Sequence, residues 1–269
     1  MTQTTKTIAL NAEELKIIKS ELHHGNGDVV QVIQSAGYSY QNNDTVTIAF
    51  NQDLDVGKAF KLVLEYEGMM NDQSMGFYRA QYRALSEPPA SVPRSKTGSP
   101  YMVCTQFEAV GARRAFPCFD EPNMKASFAL DIVIPEDQTA ISNTPVAKTE
   151  DVGQGCKRVT FEETPVMSSY LLAWAVGDLK YIETTTAREY RGKKIPVRFY
   201  AAAGAEQQGM FAAEQAAKAI DFFSEIFEIE YPLAKMDLLA VPEFAFGAME
   251  NWGLITGKTN LVSDCFYGL

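Results

Sequence analysis

At 269 residues with 46% hydrophobic side chains, the chain is long enough for one large domain or two modest ones, and nothing in its composition points to disorder. A formal net charge of -10 argues against nucleic acid or an anionic membrane surface as a partner. The opening residues lack a signal-peptide pattern, and no apolar run reaches membrane-spanning length. The cysteines Cys104, Cys118, Cys156 and Cys265 form no Cys-x-x-Cys pair, so free thiols and a cytoplasmic location are expected.

From Thr5 to about Val176 the pattern is β. Val46, Ile48 and Phe50 alternate with Thr45, Thr47 and Ala49, and Phe60, Leu62, Leu64 and Tyr66 alternate with Lys61, Val63, Glu65 and Glu67. Period two over such runs predicts strands with one buried face. Turn-forming stretches at 24–28, 41–44 and 68–72 separate them, and Asn43-Asp44-Thr45 is a glycosylation sequon only if the chain is secreted. The Pro- and Ser-rich segment Glu87 to Pro100 reads as a surface loop open to proteases. Phe128, Leu130, Ile132 and Ile134 repeat the alternation up to Pro135, and the apolar run in Met167 to Asp178 reads as a buried strand. Lys180 to Lys194 is charged and predicts a solvated hairpin at a domain junction near Arg198. Beyond it the period changes: Ala213, Ala216, Ala217, Ile220, Phe223, Ile226 and Phe227 share one helical face, and Asp237 to Val241 resumes a strand.

That strand leads into the stretch from Val241 to Thr256, on which the functional reading turns. Glu250 stands there among Phe244, Phe246, Met249 and Trp252, with no Lys or Arg following it until Lys258. A carboxylate buried in such company needs a cation or several donors. Two solutions stay open: an ammonium group supplied by a ligand, or a buried Glu satisfied by backbone N–H groups. Gly247, without a Cβ, lets another backbone come close, and an extended peptide could add as a strand along this edge. Earlier in the chain, Glu108 reads from the residues alone as a partner for Arg113 or Arg114. Arg113, Arg114, Asp120 and Glu121 read as a structural network.

The run Gly247-Ala248-Met249-Glu250-Asn251, continued by Trp252 and Gly253, resembles the exopeptidase motif of the aminopeptidase N family of zinc metallopeptidases, the gluzincins. The stretch Thr105 to Ala129, with Gln106 and Glu108 at its start, is similar to a second segment of that family. The resemblance implies that Glu250 and Glu108 hold the free α-amine of a peptide, that Gln106 sits by the first side chain, and that Gly247, Ala248 and Met249 lie along the substrate. It also implies a mainly β fold with some α: an antiparallel β-sandwich or saddle over 1–198 lacking its first strands, then the start of a thermolysin-like α/β catalytic domain over 199–256. Residues 257–269 show no resemblance, and are expected to be a divergent, non-homologous tail.

The implied activity is zinc-dependent removal of amino-terminal residues from peptides, with zinc polarising the carbonyl and lowering the pKa of water. The usual zinc motif, His-Glu-x-x-His on a helix, is absent. The two histidines, His23 and His24, are adjacent and point in divergent directions, so they are poor co-ligands. The ligands and the general base are expected to lie beyond this chain, which by itself is expected to bind no zinc and to be inert. The readings kept beside this one are a non-catalytic peptide-binding or interaction module and a non-functional gene-model fragment.

Overall fold

The computed structural model describes residues 3–25, 27–34, 38–41, 44–85, 87–96 and 98–262. Asn26, Asn42, Asn43 with its sequon, Cys265 and the end of the tail lie outside the described residues.

The first half of the chain is antiparallel β, as its alternation predicts. Thr5–Asn11, Thr45–Leu54 and Tyr38–Gln41 form one three-stranded sheet; Val29–Gln34, Leu15–His24 and Phe60–Gly68 form another. Val46, Ile48, Phe50 and Leu22 meet between them in one buried cluster. A third sheet joins Val146–Gly153, Cys156–Phe161 and Asp131–Pro135. The sheet that matters most for the site runs Thr139–Ser142, Trp174–Gly177, Tyr101–Gln106, Gly76–Gln81. The loop Glu87–Pro100 is pinned more firmly than its composition suggests: Val92 is buried, and Tyr101 N–H donates to the Pro93 carbonyl at 3.1 Å.

The second half is a five-stranded mixed sheet in the order Leu179–Tyr190, Lys193–Ala202, Met236–Val241, Leu254–Lys258, Ala248–Met249. The three central strands are parallel and the two outer ones antiparallel to their neighbours. Residue 198, near which the sequence suggests a junction, lies inside the strand Lys193–Ala202 of this sheet. The hairpin of that junction is also less solvated than its charge implies, because Thr186, Tyr190 and Ile195 are buried.

Helix α1, Met210–Ile226, lies on this hairpin with Ala213, Ala217, Ile220 and Ser224 inward. Asp221 anchors it, accepting from the Ala187 N–H at 2.8 Å and the Tyr190 hydroxyl at 2.9 Å. Past that anchor the expected apolar face is not covered. Phe223, Ile226 and Phe227 are exposed, and the Phe223 and Phe227 rings stack on each other 5.9 Å apart. A helical stripe is buried only where another layer faces it.

The two halves share a core. Tyr78, Met102, Phe107, Ile141 and Ala175 from the four-stranded sheet and its loops cluster with Leu239, Val241, Phe244, Met249 and Leu254 from the second sheet.

Candidate functional site

Gln106 ends its strand opposite Gly76, and the chain then turns back so tightly that a Cβ on Gly111 would stand 2.6 Å from the Gln106 carbonyl. Inside this turn Phe107 is fully buried, edge-on to Trp174 at 5.3 Å and to Phe116 at 6.0 Å. Burial on this scale contributes about 2–3 kcal/mol and anchors the loop. Glu108, the next residue, is exposed. Gln106 itself is buried; its Nε2 donates to the Glu108 carbonyl at 3.4 Å, while its Oε1 has no hydrogen-bond partner.

Neither arginine considered as a partner for Glu108 takes that role. Arg113 Nε meets Asp120 Oδ2 at 3.0 Å and its Nη1 meets Asp44 at 3.2 Å, while Arg114 pairs with Glu13 and Glu14. Among the described residues the Glu108 side chain has no ion pair or hydrogen bond.

The second segment is the edge of the five-stranded sheet. Ala248 pairs with Gly257 and Met249 with Thr256, and the Gly247 carbonyl accepts from the Lys258 N–H at 3.0 Å. The outer side of this short strand faces no other strand of the sheet, and Gly247 and Ala248 are exposed. Met249 points inward and is buried in the shared core, so its side chain is packing rather than lining. Glu250 points outward. Its expected burial is therefore corrected: alternation along the strand sends Met249 into the core and leaves Glu250 exposed, beside an equally exposed Phe246 and Trp252. Among the described residues it has no side-chain partner. Phe107 and Met249, the residues just before Glu108 and Glu250, belong to the same core cluster.

Several positioning residues were not singled out by sequence reasoning. Glu243 fixes the approach to the motif: its carbonyl accepts from Ser74 Oγ at 2.9 Å and its Oε2 from the Gln81 N–H at 3.2 Å. Asn251 Nδ2 donates to the Leu254 carbonyl at 3.2 Å and lies 3.3 Å from Thr256 Oγ1, closing the turn after Glu250. Asn143 Nδ2 donates to the Trp252 carbonyl at 2.7 Å and the Leu171 carbonyl at 2.8 Å. Lys235 and Asp237 form a buried ion pair at 2.7 Å beneath that turn. Burial lowers the pKa of Lys235 and raises that of Asp237, and the mutual attraction opposes both shifts.

Among the described residues the donors do not fit a zinc ion. His23 bonds to the Gly27 carbonyl at 3.1 Å and to Glu21 at 3.0 Å at the end of a strand. Among the described residues no group of three or more His, Cys, Asp or Glu is arranged to hold a metal.

A β-rich unit shares its core with the edge strand of a mixed α/β sheet, and an exposed carboxylate stands on each. The chain belongs to the M1 peptidase family: residues 1–171 match the Peptidase M1 N-terminal domain and residues 211–265 the Peptidase family M1 domain. The second match continues past Gly257, where the sequence alone placed the end of the resemblance. The chain is 41% identical over 249 residues to alanine/arginine aminopeptidase of Saccharomyces cerevisiae, covering 92% of this chain and 27% of that protein. It is 41% identical over 261 residues to aminopeptidase M1-B of Oryza sativa subsp. japonica, covering 97% and 27%. With the S. cerevisiae protein named aminopeptidase 2, mitochondrial, it shares 42% over 252 residues, covering 92% and 24%. The chain thus spans about a quarter of the length of these curated relatives.

Proposed function

We propose that this chain carries the amine-recognition part of an aminopeptidase acting on peptides with a free amino terminus. Glu108 and Glu250 hold the α-ammonium group, Gln106 lies by the first side chain, and the exposed Gly247-Ala248 edge pairs with the peptide backbone. The observation that carries this reading is the contrast between these two carboxylates and their surroundings. Each follows a fully buried residue of one core cluster, and among the described residues neither has an internal cation, although Arg113 and Arg114 are engaged a few positions after Glu108. Two carboxylates on one ammonium make charge-assisted hydrogen bonds and fix how far a peptide enters.

Hydrolysis is proposed for the longer protein of which this is the recognition part, and the family resemblance implies zinc there. Because the donors among the described residues do not fit zinc, no chemical step is assigned to them, and a non-catalytic peptide-binding module is the second reading that the same observation favours. The free thiols Cys104, Cys118 and Cys156 support a reducing, cytoplasmic setting.

Calorimetric titration with leucinamide, which has a free amine, and with its N-acetyl derivative tests the reading. Leucinamide is expected to bind and the acetylated form not. Glu108→Ala and Glu250→Ala are each expected to weaken leucinamide by at least about tenfold, the equivalent of 1.4 kcal/mol. Equal binding of both compounds, or no loss in either variant, ends the proposal.

A further inference from the structure

We infer that Lys235 is a positioning residue: it holds the turn after Glu250 against the first half of the chain, and so sets where that carboxylate stands. The inference rests on the proposed role of Glu250. Lys235 Nζ has three donors and three acceptors: Asp237 Oδ2 at 2.7 Å, the Gly253 carbonyl at 2.7 Å, and the Ser142 carbonyl. The Gly253 carbonyl also accepts from the Asp237 N–H at 2.9 Å. One residue earlier, the Trp252 carbonyl is held by Asn143, whose Oδ1 is itself fixed by the Ala173 N–H at 2.8 Å. Two successive carbonyls just after Glu250 and Asn251 are therefore gripped by groups on opposite sides of the interface between the halves.

The fit is close. Gly253 has φ of +72°, and a Cβ there would stand 2.2 Å from the Asn143 carbonyl oxygen. Stability alone does not account for the ion pair. Replacing a buried pair by apolar groups of similar volume is often neutral or stabilising, whereas removing one partner strands the other charge. Asp237 Oδ1 is already buried without a hydrogen-bond partner, which shows how far the pair departs from the cheapest way to fill this volume. What the pair supplies is a cation that joins Ser142 to Gly253, a link that apolar side chains cannot make.

The test compares the whole chain with Lys235→Met/Asp237→Leu, which removes both charges and keeps the volume. Urea unfolding is expected to stay cooperative. Amide exchange at position 237, corrected for the intrinsic rate of the new side chain, and at Leu254 is expected to rise at least tenfold relative to amides of Lys193–Ala202, and leucinamide affinity to fall at least tenfold. A double variant with unchanged exchange and unchanged affinity overturns the inference, because the pair then serves packing alone. If exchange rises but the unmodified chain does not bind leucinamide, the positioning of the turn stands and the amine reading of Glu250 is what fails. Should the double variant not fold, the unmodified chain decides: Asp237 and Leu254 amides that exchange only through global unfolding support the clamp, and exchange there by local opening overturns it.

Discussion

Asp120 and Glu250 are both acids in loops beside the shared core, and the fold treats them in opposite ways. Asp120 is 3% exposed; its Oδ2 meets Arg113 Nε at 3.0 Å, its Oδ1 accepts from Ser169 Oγ at 2.6 Å, and its N–H donates to Asn11 Oδ1 at 3.0 Å. Glu250 is exposed and has none of these. Where the architecture needs a charge, the chain brings the countercharge from elsewhere in the sequence, because a buried unpaired ion is too costly. Glu250 is left exposed beside the buried Met249, and the ammonium proposed for it comes from a ligand.

The sharpest way to break this comparison is to treat Asp120 as though it were Glu250. Asp120→Ala takes the buried partner from Arg113, which is itself mostly buried and keeps only the more exposed Asp44, and leaves Ser169 without its acceptor. A loss of about 3–5 kcal/mol is expected in urea unfolding, the range for breaking a buried charge pair. Gly253→Ala comes next. It places a β-carbon in the left-handed region and against the Asn143 carbonyl, at a cost of about 2–4 kcal/mol. Unchanged midpoints in both variants would mean that neither loop is held as tightly as its contacts imply.

The thiols offer a third arrangement, acids kept neutral by burial. Burial pushes Cys104 and Cys118 up to about 12. Between the ordinary thiol pKa near 9 and that value, the folded chain keeps protons that the unfolded chain has lost. The folded state binds more protons there, so stability falls as pH rises. The contribution of each thiol is complete below about pH 8.5 and lost progressively towards 12. At pH 10 the expected loss is about 1 kcal/mol per thiol. Cys104→Ala is expected to lower stability at neutral pH through its cavity and to flatten the fall from pH 8.5 to 10. An unaltered slope would show that this thiol does not titrate in the unfolding reaction.

How much of this was legible in the sequence depends on how local each feature is. The alternation of Val46, Ile48 and Phe50 gave a buried strand face directly, because period two is a property of the strand itself. The composition of Gly247 to Gly253 marked the stretch that forms the edge strand and the turn after it. The outward direction of Glu250 was available from the same alternation once Met249 was placed inside, but the apolar neighbours suggested burial instead. Lys235 was not legible. A lysine just before a strand reads as solvated, and its acceptors come from Ser142 and from Gly253, far apart in sequence and near only in the fold. The Asn143 to Trp252 bond spans 109 positions. The exposure at the end of α1 was not legible for the same reason: helical period reveals a stripe, not the layer that covers it.

The smallest stability effect carries the most about function. Glu250 has no partner among the described residues and is exposed, so Glu250→Ala is expected to leave the unfolding free energy within about 0.5 kcal/mol of the unmodified chain. The same variant is expected to lose leucinamide binding. Those two outcomes together separate Glu250 from Asp120, since an architectural acid cannot be removed without cost and a recognition acid can. A destabilisation comparable to that of Asp120→Ala would place Glu250 among the structural charges and leave the edge strand without its proposed ligand. A variant that is both stable and fully competent to bind would instead end the two-carboxylate reading, because one exposed carboxylate could not fix the depth of entry that exopeptidase selection requires.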